Sequence, residues 1–233
     1  MAIMGEDARL ALVEVEGQMP YASNTTLLAK DGSGALWVYK PERGENPLWD
    51  FAWRTLAARE VLTYEVATGL GLDLVPETIL ADGPFGPGSA QRFVEEDFDF
   101  DPRPLFIPQL DRRLWPVAVL DIVCNNADRK IGHVIHDKTT DRLWAIDHGL
   151  TFHADPKLRT VLWGFAGEPI PPPLLEALGG LRTRLTAGLS TRVAELLSEE
   201  EADSLSARVE ELISAQIHPH PPADRPAVPW PLV

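Results

Sequence analysis

The chain has 233 residues, 45% of them hydrophobic, which is enough to bury a sizeable core in one large domain or two lobes. Its formal charge of −14 excludes the basic face of a nucleic-acid binder, and no Lys/Arg cluster is present to hold an anionic lipid surface. Cys124 is the only cysteine, so an intramolecular disulfide is excluded; no apolar run approaches a membrane span, and the N-terminus lacks a basic-then-apolar leader. The expectation is a cytoplasmic protein with no nucleic-acid partner and no stable membrane association.

Residues 9–15 suit a helix or a first strand equally. Residues 27–29 and 35–40 then form a hairpin across Asp31-Gly32-Ser33-Gly34. Just before it, Ser23-Asn24-Thr25-Thr26 offers hydroxyls, an amide and backbone N–H groups, chemistry suited to phosphate oxygens, although an ordinary polar turn has the same composition. Lys40 closes the hairpin's second strand, where a lysine buries its stem and presents its ammonium to a cleft. After a loop of turn formers, residues 55–67 read as a helix that turns Glu60 inward, with Glu65 as the rival. An inward carboxylate pairs with a lysine such as Lys40. Gly69-Leu70-Gly71 stops the helix, and residues 74–80 and 89–95 give a second hairpin around a Gly/Pro turn. The acidic run at 96–101 reads as solvated linker.

The second half opens with an amphipathic helix from Trp115, in which Cys124 is a buried small hydrophobe. It breaks into the polar loop Asn125-Asn126-Ala127-Asp128-Arg129-Lys130. Residues 133–136 and 142–146 flank a turn rich in Asp and Thr, and Asp147-His148-Gly149 follows. One Asp in a loop and a second after a hairpin is the pair phosphoryl transfer needs: one carboxylate orients a hydroxyl, the other holds the metal on nucleotide phosphates. Helices fill residues 174–178, 191–197 and 198–217, the last opened by Ser198-Glu199-Glu200-Glu201. Six prolines after His218 predict an extended, mobile tail.

Asn-x-Asp-Arg, a hairpin and Ile-Asp-x-Gly-Leu together resemble the catalytic and metal loops of phosphatidylinositol 3- and 4-kinases, a layout that HipA-type kinases share. The chain as a whole resembles an actinobacterial family of that superfamily. The resemblance covers roughly residues 20–165. It implies an α+β, bilobal protein-kinase-like fold with a small β-rich N-lobe (residues 1–95), a mainly helical C-lobe (96–217) and the Pro-rich tail (218–233). It implies ATP as the phosphate donor with Mg²⁺ or Mn²⁺, Asp128 as the catalytic Asp, and Arg129 steadying the catalytic loop or the transferring phosphate. Ser23, Asn24, Thr25 and Lys40 would hold the phosphates, Glu60 would fix Lys40, and backbone groups at Phe93, Val94 and Glu95 would hold adenine. Asp147 would be the metal Asp. Its partner in these kinases is an Asn five residues after the catalytic Asp, and that position is His133 here. Thr151, Thr160 and Trp163 would face the acceptor.

The missing basic face favours a protein hydroxyl or a soluble small molecule over a lipid as the unidentified acceptor. His133 feeds a second reading, a nucleotide-sensing pseudokinase. A third takes His133, His136, Asp147, His148 and His153 as a hydrolytic transition-metal site, but positions three apart on a strand face opposite sides.

Overall fold

The computed structural model describes residues 9–19, 24–107 and 109–232. Its first part is a five-stranded barrel with one helix. Strands β1 (Leu10–Gln18), β2 (Leu27–Asp31), β3 (Leu36–Pro41), β4 (Thr78–Gly83) and β5 (Gly86–Arg92) close in the order β1-β2-β3-β5-β4. Residues 9–15, open between helix and strand from sequence, are strand. They pair antiparallel with β2, and they close the barrel by lying parallel to β4, with Leu10 opposite Ala81. Alternate inward residues, among them Leu27, Ala29, Trp37, Tyr39, Ala81 and Ala90, fill the barrel. Asp31 sets the β2–β3 turn, accepting from the Ser33 and Ala35 N–H groups and from Trp37 Nε1.

Helix α1 (Leu56–Gly69) lies between this barrel and the helical part. Its Leu62, Val66 and Ala67 join the larger core, built around the almost wholly buried helix α2 (Trp115–Cys124). A hairpin of β6 (Val134–Asp137) and β7 (Arg142–Ala145) follows. The chain then runs without long elements to α3 (Pro172–Leu185), α4 (Ser190–Leu196) and α5 (Glu199–Ala215). Ser198 and Glu201 form a reciprocal capping box at the start of α5, as their spacing announces. No helix among the described residues is long and apolar enough to cross a membrane.

The tail departs from expectation. It is extended, but it is docked rather than loose. His218 is fully buried against Trp115 and Trp163, and the Ala227 carbonyl accepts from Thr160 N (3.0 Å) and Trp163 Nε1 (2.6 Å). Farther on, the Leu232 carbonyl accepts from Ile131 N at 3.0 Å, inside the loop that follows Asp128. Loose chain would leave those three donors to water. Here each finds an acceptor.

Candidate active site

Helix α2 carries the first loop of the site. Asn125 ends the helix in the left-handed region, at φ 52°, where Asn is tolerated better than most residues. Its side chain pins the segment beyond Asp147: Nδ2 donates to the carbonyls of His153 (2.8 Å) and Asp155 (2.7 Å), and Oδ1 accepts from Lys157 N (2.8 Å). Asp121, buried on α2, accepts from Asn126 Nδ2 at 2.9 Å, and Asn126 Oδ1 accepts from Asp128 N at 2.9 Å. A relay of side chains from the helix therefore fixes where Asp128 stands.

Asp121 also grips Arg129, whose Nε and Nη2 donate to both carboxylate oxygens. The other end of the guanidinium donates to the carbonyls of His133 and Ile146, each at 3.0 Å, and Nη2 lies 2.7 Å from His148 Nε2. One buried cation thus holds the turn carrying His133 and the residues on either side of Asp147. His148 accepts this bond only with its proton on Nδ1, and burial together with the Arg129 charge holds the ring neutral, well below its ordinary pKa. Of the two roles open to Arg129, the geometry leaves the first. It steadies the loops, and with its donors spent inside the protein it does not reach a transferring phosphate.

The candidate groups face one another across the junction of barrel and helices. Lys40, from β3, donates to Glu60 of α1 and to Asp147 Oδ1 at 2.9 Å. Burial opposes its charge, but the two carboxylates win and raise its pKa above the usual lysine range. Glu60 spends its second oxygen on His148 N at 3.0 Å, so one carboxylate joins the lysine to the loop of Asp147. Glu65, the rival, points elsewhere and pairs with Arg192. Asp147 takes a left-handed backbone, φ 61°, and the Lys40 charge holds its carboxyl far below the ordinary range. His133 Nε2 lies 3.3 Å from Asp147 Oδ2, and burial lowers its pKa to about 4. Asp128 is half-buried, and burial raises its pKa although Lys130 sits 3.0 Å away. Ligand atoms of Asp128, His133 and Asp147 all lie within 4.8 Å of one another, a donor set that fits a divalent cation.

Other expected residues fare differently. Ser23 lies outside the described residues. Leu27 pairs with Tyr39, so Asn24 and Thr25 run beside the end of β3, near Lys40. Asn24 Oδ1 is engaged by Asn46 N (2.8 Å) and Thr25 N by the Gly44 carbonyl (3.2 Å), which closes the loop after β3 over this segment. At the hinge, Phe93 N donates to the Leu36 carbonyl and the Glu95 carbonyl accepts from Lys138 N. Those two groups are spent inside the protein, and the Val94 amide and carbonyl keep no partner among the described residues. His133 sits in a short 3₁₀ turn, residues Ile131–His133, rather than on the strand, which starts at Val134.

The acceptor-facing segment needs correction. Thr151 is buried, hydrogen-bonded to the His148 carbonyl and facing Thr63, and Thr160 is buried against Asp121 and Leu162 N. Trp163 is held by the tail. Neither threonine hydroxyl is free to face an acceptor. The remaining histidines do not gather either: His136 pairs with Asp141 and stacks on Phe100, His148 faces Arg129, and His153 meets Phe51. Lys130 was missed, although its place two residues after Asp128 was its signal. Asp121 and its link to Arg129 carried no signal, because the pairing exists only once the helix is buried.

A closed barrel joined to a helical part, with Lys40–Glu60 on one side and Asp128 and Asp147 on the other, defines a protein of the kinase fold. Solved structures agree on the fold: the Helicobacter pylori proinflammatory kinase CtkA aligns with a TM-score of 0.58 at 14% identity over 89% of this chain and 93% of its own. The Golgi casein kinase, with Mn/ADP bound, aligns with a TM-score of 0.58 at 12% identity over 88% of this chain and 72% of its own. No protein-family model matches the chain. Protein Rv2133c of Mycobacterium tuberculosis (strain ATCC 25618 / H37Rv) is 40% identical, over 73% of this chain and 74% of that protein, and the chain belongs to its family.

Proposed function

We propose that the protein is an ATP-dependent phosphotransferase of the phosphatidylinositol 3/4-kinase-like type. The observation that carries this is the convergence of Lys40, Glu60 and Asp147, three groups from distant parts of the chain, beside Asp128. Lys40, fixed by Glu60, holds the nucleotide phosphates. His133 and Asp147 are the residues that would hold a divalent cation, which when bound supplies charge neutralisation to the phosphates. Asp128 receives the proton of the acceptor hydroxyl as that oxygen bonds to the γ-phosphorus and ADP departs. Its raised pKa, caused by burial, suits a proton acceptor. Lys130 keeps the Asp128 carboxylate paired until the acceptor arrives.

The acceptor in this reading is a protein hydroxyl or a soluble small molecule, supported by the net charge of −14 and the lack of a basic cluster. A cytoplasmic site of action belongs to the same proposal, supported by Cys124 being the only cysteine. The presence of both Asp128 and Asp147 favours turnover over nucleotide sensing alone. Calorimetry of ATP binding with and without MnCl₂ or MgCl₂ tests the proposal. Metal-dependent binding that Asp147→Asn weakens supports it, and no binding in either metal contradicts it.

A further inference from the structure

We infer that His133 makes this centre selective for divalent transition ions over Mg²⁺, an inference that rests on the metal role proposed above for His133 and Asp147. Both oxygens of Asp147 have a protein neighbour. Lys40 Nζ donates to Oδ1 at 2.9 Å, and His133 Nε2 lies 3.3 Å from Oδ2. To ligate an ion through Nε2, the nitrogen that lies beside Asp147, a neutral imidazole must carry its proton on Nδ1. That atom is buried and has no hydrogen-bond partner among the described residues. The turn holds the ring beside Asp147. The His133 carbonyl is held by Arg129, and His133 N donates to the Lys130 carbonyl at 3.2 Å.

Binding an ion here therefore creates a buried N–H without an acceptor, which is unfavourable. Only an ion that gains strongly from imidazole offsets it. Mg²⁺ keeps its waters, prefers oxygen and gains little from nitrogen, whereas divalent ions of the first transition row gain more from imidazole, least at Mn²⁺ and increasingly toward Cu²⁺. An amide oxygen at this position would carry no proton to relocate, and would leave Mg²⁺ competitive. His133 is thus a specificity-determining residue, and the choice of ion is written in one side chain.

The test uses the full-length protein, MnCl₂ as the probe and MgCl₂ as the competitor, read by electron paramagnetic resonance. The parent should show ¹⁴N modulation from an imidazole on bound Mn²⁺, absent in His133→Asn. The Mg²⁺:Mn²⁺ ratio needed for half displacement should fall by at least about tenfold in the variant, the lower end of what altering even a supporting metal contact does. His133→Gln gives the same readout through a second oxygen donor should Asn loosen the turn. Bound Mn²⁺ displaced at the same ratio from parent and variants would overturn the selectivity while leaving the metal site standing. Mn²⁺ binding to none of them would remove the metal site itself, and the inference with it.

Discussion

Lys40 and Asp147 stand 107 residues apart in the chain and meet at 2.9 Å. The same lysine is held by Glu60, whose other oxygen binds the backbone of His148 beside Asp147. The barrel, helix α1 and the loop of Asp147 are thereby tied at a single point, so the proposed chemistry depends on one ammonium. Lys40→Met is expected to reduce phosphate transfer and ATP affinity together. Glu60→Gln keeps its contact with His148 N but lets Lys40 wander. It should lower kcat/KM by about ten- to a hundredfold, the equivalent of the ~1.5–3 kcal/mol of a hydrogen bond to a charged group. Steady-state kinetics on both variants checks the order, with the methionine variant the weaker.

Asp121 and Arg129 form a fully buried pair beneath the loops of Asp128 and Asp147. Asp121→Ala strands the guanidinium and frees Asn126 from its anchor, so it should destabilise the fold by about 3–5 kcal/mol. Denaturant unfolding measures this directly. Asp128→Asn, half-exposed and with little else depending on its charge, should leave the midpoint nearly unchanged.

Deleting residues 226–233 removes the acceptors for Thr160 N, Trp163 Nε1 and Ile131 N. At about 1 kcal/mol for each hydrogen bond the loss of stability should reach ~3 kcal/mol. Faster hydrogen exchange at the Ile131 amide, and lower transfer activity with the nucleotide affinity largely kept, are the expected signs that the tail orders the catalytic loop. An unchanged exchange rate at Ile131 would mean that the tail only covers it.

His218 gives the fold an acid-sensitive point far from the cleft. Burial among Trp115, Trp163 and Phe165 lowers its pKa from the ordinary 6.5. The unfolded chain then binds a proton that the folded chain refuses, so stability rises with pH in this range. The contribution of His218 is fully present above about pH 6.5 and is lost as pH falls through its lowered folded value. His133 and His148 shift in the same direction. His218→Phe should therefore flatten the loss of stability below pH 6.5 without abolishing it, measured by denaturant midpoints at several pH values.

Much of the site is legible in the sequence because its signals are local. Asp128 and Asp147 sit in loops defined by their own neighbours, and Lys40 ends a strand whose alternation is plain. The Lys40–Glu60 pair follows from the inward face of a periodic helix. What sequence does not carry is long-range. The parallel pairing of Leu10 with Ala81, which closes the barrel, leaves no trace in either strand. The tail's prolines announce an extended chain but not the donors at Thr160 and Ile131 that receive it. Thr151 and Thr160 read as acceptor-facing because the resemblance places them where an activation segment would lie. Both hydroxyls instead satisfy buried groups, as polar atoms in a core must.

Phosphate transfer from ATP by the parent and by Asp128→Asn, with ATP binding measured on the same samples, tests the central claim most directly. The account predicts that the variant binds ATP and metal like the parent while transfer falls by roughly 10²–10⁴-fold, the usual share of a general base. A variant that transfers phosphate at the parent's rate would contradict it.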